Sequence, residues 1–187
     1  MSQIFISHSQ KDDAIIALFA KAFGSTHVKH VFMEYEKIML GREIMPQEIQ
    51  MNIKNSMACF VILSENVNTI KHTRDWIVAE SSLAYQLGKD IWIFEPNSDL
   101  GKIDVIIPFF THIAPFDICD EAYVFIRNII ESYEGSTFLG AVSGNKKKRP
   151  RGIKTQCFNC HRSFQVYIRY GSVFRCPGCN QHLQINK

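Results

Sequence analysis

Along residues 1–133, short apolar runs alternate with stretches whose apolar positions recur every three or four residues. Gln3-Ile4-Phe5-Ile6-Ser7 predicts a buried strand that opens into the polar turn Ser7 to Asp13. Ile15, Leu18, Phe19 and Ala22 share one face of a helix over about 12–23, stopped by Gly24. His30-Val31-Phe32-Met33 predicts a second strand. A loop over 36–45 contains Gly41, and Pro46 then suits the first turn of a helix with Ile49 and Ile53 inward. Ala58-Cys59-Phe60-Val61-Ile62-Leu63-Ser64 is the strongest strand signal, a continuous apolar run suited to a central position covered on both faces. Asp90-Ile91-Trp92-Ile93-Phe94 predicts a fourth strand ended by Pro96. Residues 100–110 are apolar, broken by Pro108 and ambiguous, with one helical turn the reading on offer. His112-Ile113-Ala114 predicts a short edge strand. A last helix over about 119–133 turns Ala122, Ile126, Ile129, Ile130 and Tyr133 inward. Strands alternating with helices predict an α/β fold: a flavodoxin-like, five-stranded parallel sheet with helices on both faces.

The helix after the third strand carries the most chemistry. Thr73 is its candidate N-cap and Gly88 its stop. At about 100° per residue, Trp76, Ile77, Ala79, Leu83, Ala84 and Leu87 form one apolar arc, with Ser81, Ser82, Tyr85 and Gln86 opposite. Glu80 falls inside the arc, one turn after Trp76. A carboxylate there loses water, at a cost that a partner or ligand must offset. The alternative is a boundary residue whose head reaches solvent. In parallel α/β sheets ligands bind beyond the carboxyl ends of the strands. The start of this helix and the loops after strands one to three all lie at that edge. The first of these loops, beside a helix N-terminus, carries the polar side chains His8, Ser9 and Lys11 as candidate ligand contacts. Each has a simpler reading: a surface histidine, a helix cap and a solvated charge. Trp76 reads equally as core.

Composition divides the chain. Residues 1–145 hold 11 of the 21 Lys and Arg and all 18 Asp and Glu, a net of −7; residues 146–187 hold the remaining 10 bases and no acid. The change marks a boundary near Gly144, giving 1–135 as the main domain, 136–153 as a basic linker and 154–187 as a small module. No apolar run reaches the ~18 residues of a membrane span. The opening Met1-Ser2-Gln3 leads straight into a strand with no signal peptide, so the protein is expected in the cytoplasm.

In the small module, Cys157-Phe158-Asn159-Cys160 and Cys176-Pro177-Gly178-Cys179 are two CxxC pairs fifteen residues apart. That spacing points to a four-thiolate structural zinc site of the zinc-ribbon kind, with short antiparallel strands from Phe164, Val166, Tyr167, Ile168 and Phe174. A module of ~30 residues has too little core to fold without such a staple. Arg162, Arg169 and Arg175, with Phe164, Tyr167, Tyr170 and Phe174, are candidates to hold nucleic acid or an acidic partner. The same aromatics also serve as the ribbon's own core. Cys59 reads as a buried strand residue.

Phe5-Ile6-Ser7-His8-Ser9 followed by Asp12 or Asp13, then Leu40-Gly41-Arg42-Glu43-Ile44 leading into a helix, then Leu63-Ser64 followed by Trp76-Ile77-Val78-Ala79-Glu80, resemble the boxes of the Toll/interleukin-1 receptor (TIR) domain. The second resembles its BB loop, the third the W-x-x-x-E pattern of its enzymatic members. The resemblance covers roughly residues 3–133. It implies an NAD⁺ nucleosidase in which Glu80 is the catalytic residue and nicotinamide is released, leaving ADP-ribose or a cyclised isomer. It implies NAD⁺ contacts from His8, Ser9, Lys11, Ile44 and Trp76. It further implies self-association through the BB loop, and a role in antiphage defence or innate immune signalling. Two features depart from the pattern: Leu40-Gly41 stands where signalling adaptors often carry Pro-Gly, and no arginine follows the first strand. A non-catalytic TIR scaffold is the second reading. A nucleoside deoxyribosyltransferase-like enzyme, sharing the α/β layout and a glutamate, is the third.

Overall fold

The computed structural model describes residues 2–32, 46–69, 71–134, 149–168 and 172–185. Nine strands and four α-helices lie within them: β1 (Gln3–Ser7), α1 (Asp13–Gly24), β2 (Lys29–Phe32), α2 (Pro46–Asn55), β3 (Ala58–Ile62), α3 (Lys71–Gln86), β4 (Asp90–Pro96), β5 (His112–Phe116), α4 (Asp120–Glu131), β6 (Ile153–Gln156), β7 (Ser163–Val166), β8 (Val173–Arg175) and β9 (His182–Gln184). Seven strands form one sheet in the order β2-β1-β3-β4-β5-β7-β6, and β8 pairs with β9 as a separate hairpin. All pairings in the large sheet are parallel except β6 with β7.

Alternation along the strands divides the core in two. Phe5, Cys59, Val61, Ile91, Ile93 and Ile113 face the side packed by Ile49 and Ile53 of α2 and Ile77 and Ala84 of α3. Ile4, Ile6, Phe60, Trp92, Phe94 and Ala114 face the side packed by Phe19 and Phe23 of α1 and Ile126 and Ile130 of α4. β3, read as central from its unbroken apolar run, is buried at every position. The chain leaves β1 toward β2 on one side and returns through α2 to β3 on the other. The strand order therefore reverses between β1 and β3.

Three expectations change. Thr73 lies inside α3, which begins at Lys71, and so does not cap it. Gly88 is the stop expected of it: its φ is +66°, its N–H donates to Tyr85 O (2.9 Å), and Lys89 N–H donates to Ala84 O (2.9 Å), a Schellman ending. β5 is an interior strand, because β7 pairs with its outer edge at His112 and Ile113.

The third change concerns the C-terminal segment, which lengthens the sheet from the expected five strands to seven. Its Cys157, Phe164, Val166, Phe174, Cys176, Leu183 and Ile185 belong to the same buried cluster as Phe5 and Val61. The composition boundary is therefore not a boundary in the core. Of the stretch read as a linker, residues 149–153 are described. There Arg149 donates to Asp90 Oδ2 (2.9 Å) and lies over the Tyr133 ring, 4.8 Å from its centroid.

Residues 103–110 form no regular element. Burial nevertheless alternates, with Ile103, Val105 and Ile107 inside and Asp104 and Ile106 outside. An extended segment laid across the core resolves the ambiguous apolar stretch.

Candidate functional site

Ser7 ends β1 on the face that packs α3, since it shares the parity of Phe5. Glu80 meets it there: Ser7 Oγ donates to Glu80 Oε2 at 2.5 Å. Glu80 is 3% exposed. Burial raises its pKa to about 8, against the opposing pull of the Ser7 hydrogen bond. The carboxyl group therefore keeps its proton at neutral pH in the free protein, where the sequence suggests a carboxylate. A cation brought against it would favour the ionised form and release that proton.

The buried stripe of α3 is Ile77, Glu80, Ser81 and Ala84, whereas Ala79 and Leu87 are exposed. The apolar arc is thus rotated from its expected position. Ser81 can face the sheet because its hydroxyl is satisfied by its own helix, donating to Val78 O (3.0 Å). Trp76 is half-buried and packs against the core cluster, so one turn before Glu80 it serves first as packing.

The turn after β1 is inward rather than solvated. His8 is buried, its Nδ1 2.9 Å from Ser9 O and its ring edge-on to Phe32 at 5.4 Å. Ser9 is buried too. Its hydroxyl accepts from Lys11 N–H (3.4 Å) and points toward Asn66 O (3.5 Å). Lys11 is exposed. Ile44 lies outside the described residues, as does the whole loop over 36–45.

Asp12, absent from the sequence-based candidates, fixes this turn. Its Oδ1 accepts from Ser64 Oγ (2.6 Å) and Asn66 Nδ2 (2.8 Å), tying the entry of α1 to the loop after β3. Its other oxygen is buried with no hydrogen-bond partner among the described residues. Lys11, Asp12, Ser64, Asn66 and Asp99 line a cavity of about 180 Å³ at the carboxyl edge of β1, β3 and β4. A larger cavity, about 660 Å³, lies at the end of β5 among Phe116, Glu121, Arg151 and Tyr167 and does not touch Glu80.

The four cysteines of the CxxC pairs converge, their Sγ atoms all within 4.8 Å of one another. Cys157 and Cys179 are 3.6 Å apart and Cys160 and Cys176 3.8 Å. A tetrahedron with metal–sulfur bonds of about 2.3 Å has edges of about 3.8 Å. The donor set thus fits a metal ion such as zinc. The two loops share a design. Cys157 N–H donates to Arg162 O (3.0 Å) and Cys176 N–H to Gln181 O (2.8 Å). His161 and Asn180 follow with φ of 56° and 60°.

Several residues considered for a nucleic-acid surface are turned inward instead. Arg175 is 2% exposed; its Nε donates to Glu95 Oε1 (3.0 Å) and its Nη1 to Val105 O (2.9 Å) and Asn180 Oδ1. Phe164 and Phe174 are core, and Tyr167 is buried against Trp92 (4.8 Å between centroids) with its hydroxyl 3.1 Å from His112 Nδ1. Arg169 and Tyr170 lie outside the described residues. Among the residues that the segment turns outward are Phe158, 66% exposed, Arg151 and Lys154.

A scan against models of known protein families finds no match, and a search of curated proteins finds none either. The fold and site define an α/β protein with a mostly parallel seven-stranded sheet and a four-cysteine cluster able to hold a metal. Among the described residues, no helix is long and apolar enough to cross a membrane.

Proposed function

We propose that this chain is a TIR-type NAD⁺ nucleosidase, cleaving the bond between nicotinamide and ribose, with Glu80 as the catalytic residue. The observation that carries the reading is the Ser7–Glu80 pair, a buried carboxyl held at the carboxyl end of β1, beside the reversal of strand order. Parallel α/β sheets bind ligands at such a point, and the order β2-β1-β3-β4-β5 within the sheet supports a flavodoxin-like reading.

The chemistry follows from charge. The nicotinamide ring of NAD⁺ is cationic, so its approach lowers the pKa of Glu80 and expels the proton to solvent. The resulting carboxylate faces a ribose carbon that gains oxocarbenium character as nicotinamide leaves neutral, and it stabilises that charge most where water is excluded. Ser7 holds the carboxylate in orientation. Water, or an internal nucleophile of the ADP-ribose, then takes the carbon and loses a proton. Because Glu80 is covered in the single chain, self-association involving the 36–45 loop opens or completes the site. Antiphage or innate immune signalling is the setting that this reading implies.

The test is NAD⁺ consumption by assembled protein at high concentration with a crowding agent, wild type beside Glu80→Gln, with products separated by mass. Turnover in the wild type that is lost in the variant supports the enzyme. No turnover in demonstrably assembled protein overturns it. The near-complete burial of Glu80 favours one second reading, a TIR scaffold in which this carboxyl is structural. In that case Glu80→Gln preserves assembly and any cellular effect.

A further inference from the structure

The thiolate centre is joined to the Glu80 helix through one intervening segment, residues 103–110. On one side the second cysteine loop grips that segment. Ile107 N–H donates to Pro177 O (2.8 Å), between the two cysteines of the pair. Arg175, immediately before Cys176, donates to Val105 O, and Asn180, immediately after Cys179, points Nδ2 at Asp104 Oδ1 (3.4 Å). Gly178 sits so close to Phe110 that an added Cβ would lie 3.4 Å from its ring.

On the other side the same segment grips α3 and the turn that leads into it. Tyr85 of α3 stacks on Phe109, with centroids 4.6 Å apart and planes 26° off parallel. Arg74 Nη1 lies 3.4 Å from Asp104 O. Asn68, in the turn before α3, accepts from Asp104 N–H (3.2 Å) and donates to Lys102 O (2.6 Å).

We infer that a zinc-type divalent metal bound by Cys157, Cys160, Cys176 and Cys179 is the clamp that holds residues 103–110, and through them α3 and Glu80, in place against the sheet. The β8–β9 hairpin has three residues per strand, too few to fix its own geometry in water. Binding releases the protons of those cysteines still present as thiols and replaces weak sulfur contacts with four metal–sulfur bonds, locking the 176–179 loop to the 157–160 loop. The latter is rigid because β7 is a strand of the main sheet. The metal thus ties a mobile-by-size hairpin to a fixed strand, and the hairpin presses 103–110 onto α3. In this arrangement the cysteines are positioning residues for Glu80, at a distance, and take no part in its chemistry.

The experiment uses the full chain and reads hydrogen exchange, so its outcome is separate from whether NAD⁺ is cleaved. Wild-type protein is stripped with a chelator, and peptides from 103–110, α3, α1 and α4 are compared before and after adding back Zn²⁺ or Co²⁺. We expect Co²⁺ to give the visible absorption of a tetrahedral thiolate site. In the apoprotein, exchange over 103–110 and α3 should rise by about tenfold or more, with α1 and α4 unchanged, and Zn²⁺ should restore protection. Cys160→Ser, at a half-buried ligand, should reproduce the pattern; if that variant fails to fold, the chelated wild type decides. Failure to take up either metal, unchanged exchange in α3, or an equal loss of protection in α1 and α4 would overturn the inference.

Discussion

Ser7 and Glu80, 73 positions apart in sequence, are joined by a 2.5 Å hydrogen bond in the core, where the end of β1 meets the inner stripe of α3. The bond works against the burial that raises the Glu80 pKa. Replacing Ser7 with Ala should therefore raise that pKa beyond its present value and cost about 1 kcal/mol of stability. Carboxyl titration by infrared or labelled-glutamate NMR reads the first effect. A Glu80 pKa equal to or below the wild-type value would contradict it.

Glu80 also gives stability a pH dependence whose sign is fixed. Its folded pKa of about 8 exceeds the unfolded 4.5, so the proton is held more tightly in the native state. This contribution is complete below about pH 4.5 and declines as pH rises toward 8, at about 1.4 kcal/mol per pH unit. Glu80→Gln keeps the shape and removes the titration. Urea midpoints at pH 6.5 and 8 should converge in the variant and diverge in the wild type; parallel behaviour would refute the assignment.

His112 tilts the profile the other way. It is stacked on Trp92 at 4.1 Å, beside Tyr167, and burial lowers its pKa from 6.5 to about 4, with Arg149 adding to the shift and Asp90 and Gln165 opposing it. A depressed histidine contributes stability that is present above 6.5 and lost as pH falls toward 4. Between 4.5 and 6.5 the two groups oppose each other, so the wild type should be nearly flat there and decline only above. His112→Gln should uncover a decline that begins near pH 4.5. A flat profile in that variant would show that Glu80 does not titrate as described.

The Arg175–Glu95 pair is buried on both sides, at 2% and 3% exposure, with N–O 3.0 Å. Removing one member strands the other charge. Arg175→Ala should cost about 3–5 kcal/mol, and Arg175→Met combined with Glu95→Gln should recover much of it. Chemical denaturation of the two variants makes the comparison. A single substitution costing less than about 1 kcal/mol would place the pair in contact with water.

Much of the sheet was legible because its strands are short unbroken apolar runs. β3 and β4 stand out for that reason, and Ile49, Ile53, Ile126 and Ile130 mark their helix faces by spacing alone. Glu80 was legible as a carboxyl out of place in an apolar neighbourhood. Its partner was not, because nothing local distinguishes Ser7 from any serine that ends a strand. Asp12 escaped for the same reason: its bonds run to Ser64 and Asn66, more than fifty positions away. Arg175 misled in the opposite sense. An arginine in a basic segment reads as surface until Glu95 appears 80 positions earlier.

By itself the sequence determined the alternation of strands and helices, the four-cysteine centre and a glutamate set inside the apolar arc of its helix. These are local facts, written in periodicity and spacing. Only the tertiary structure decided that the cysteine segment joins the main sheet, that the inner stripe of α3 runs through Ser81 and excludes Ala79 and Leu87, and that Ser7 hydrogen-bonds Glu80. Those outcomes depend on which edges pair and which faces meet. Several orders of packing satisfy the same local pattern, and the difference between them lies in contacts between residues that the sequence keeps far apart.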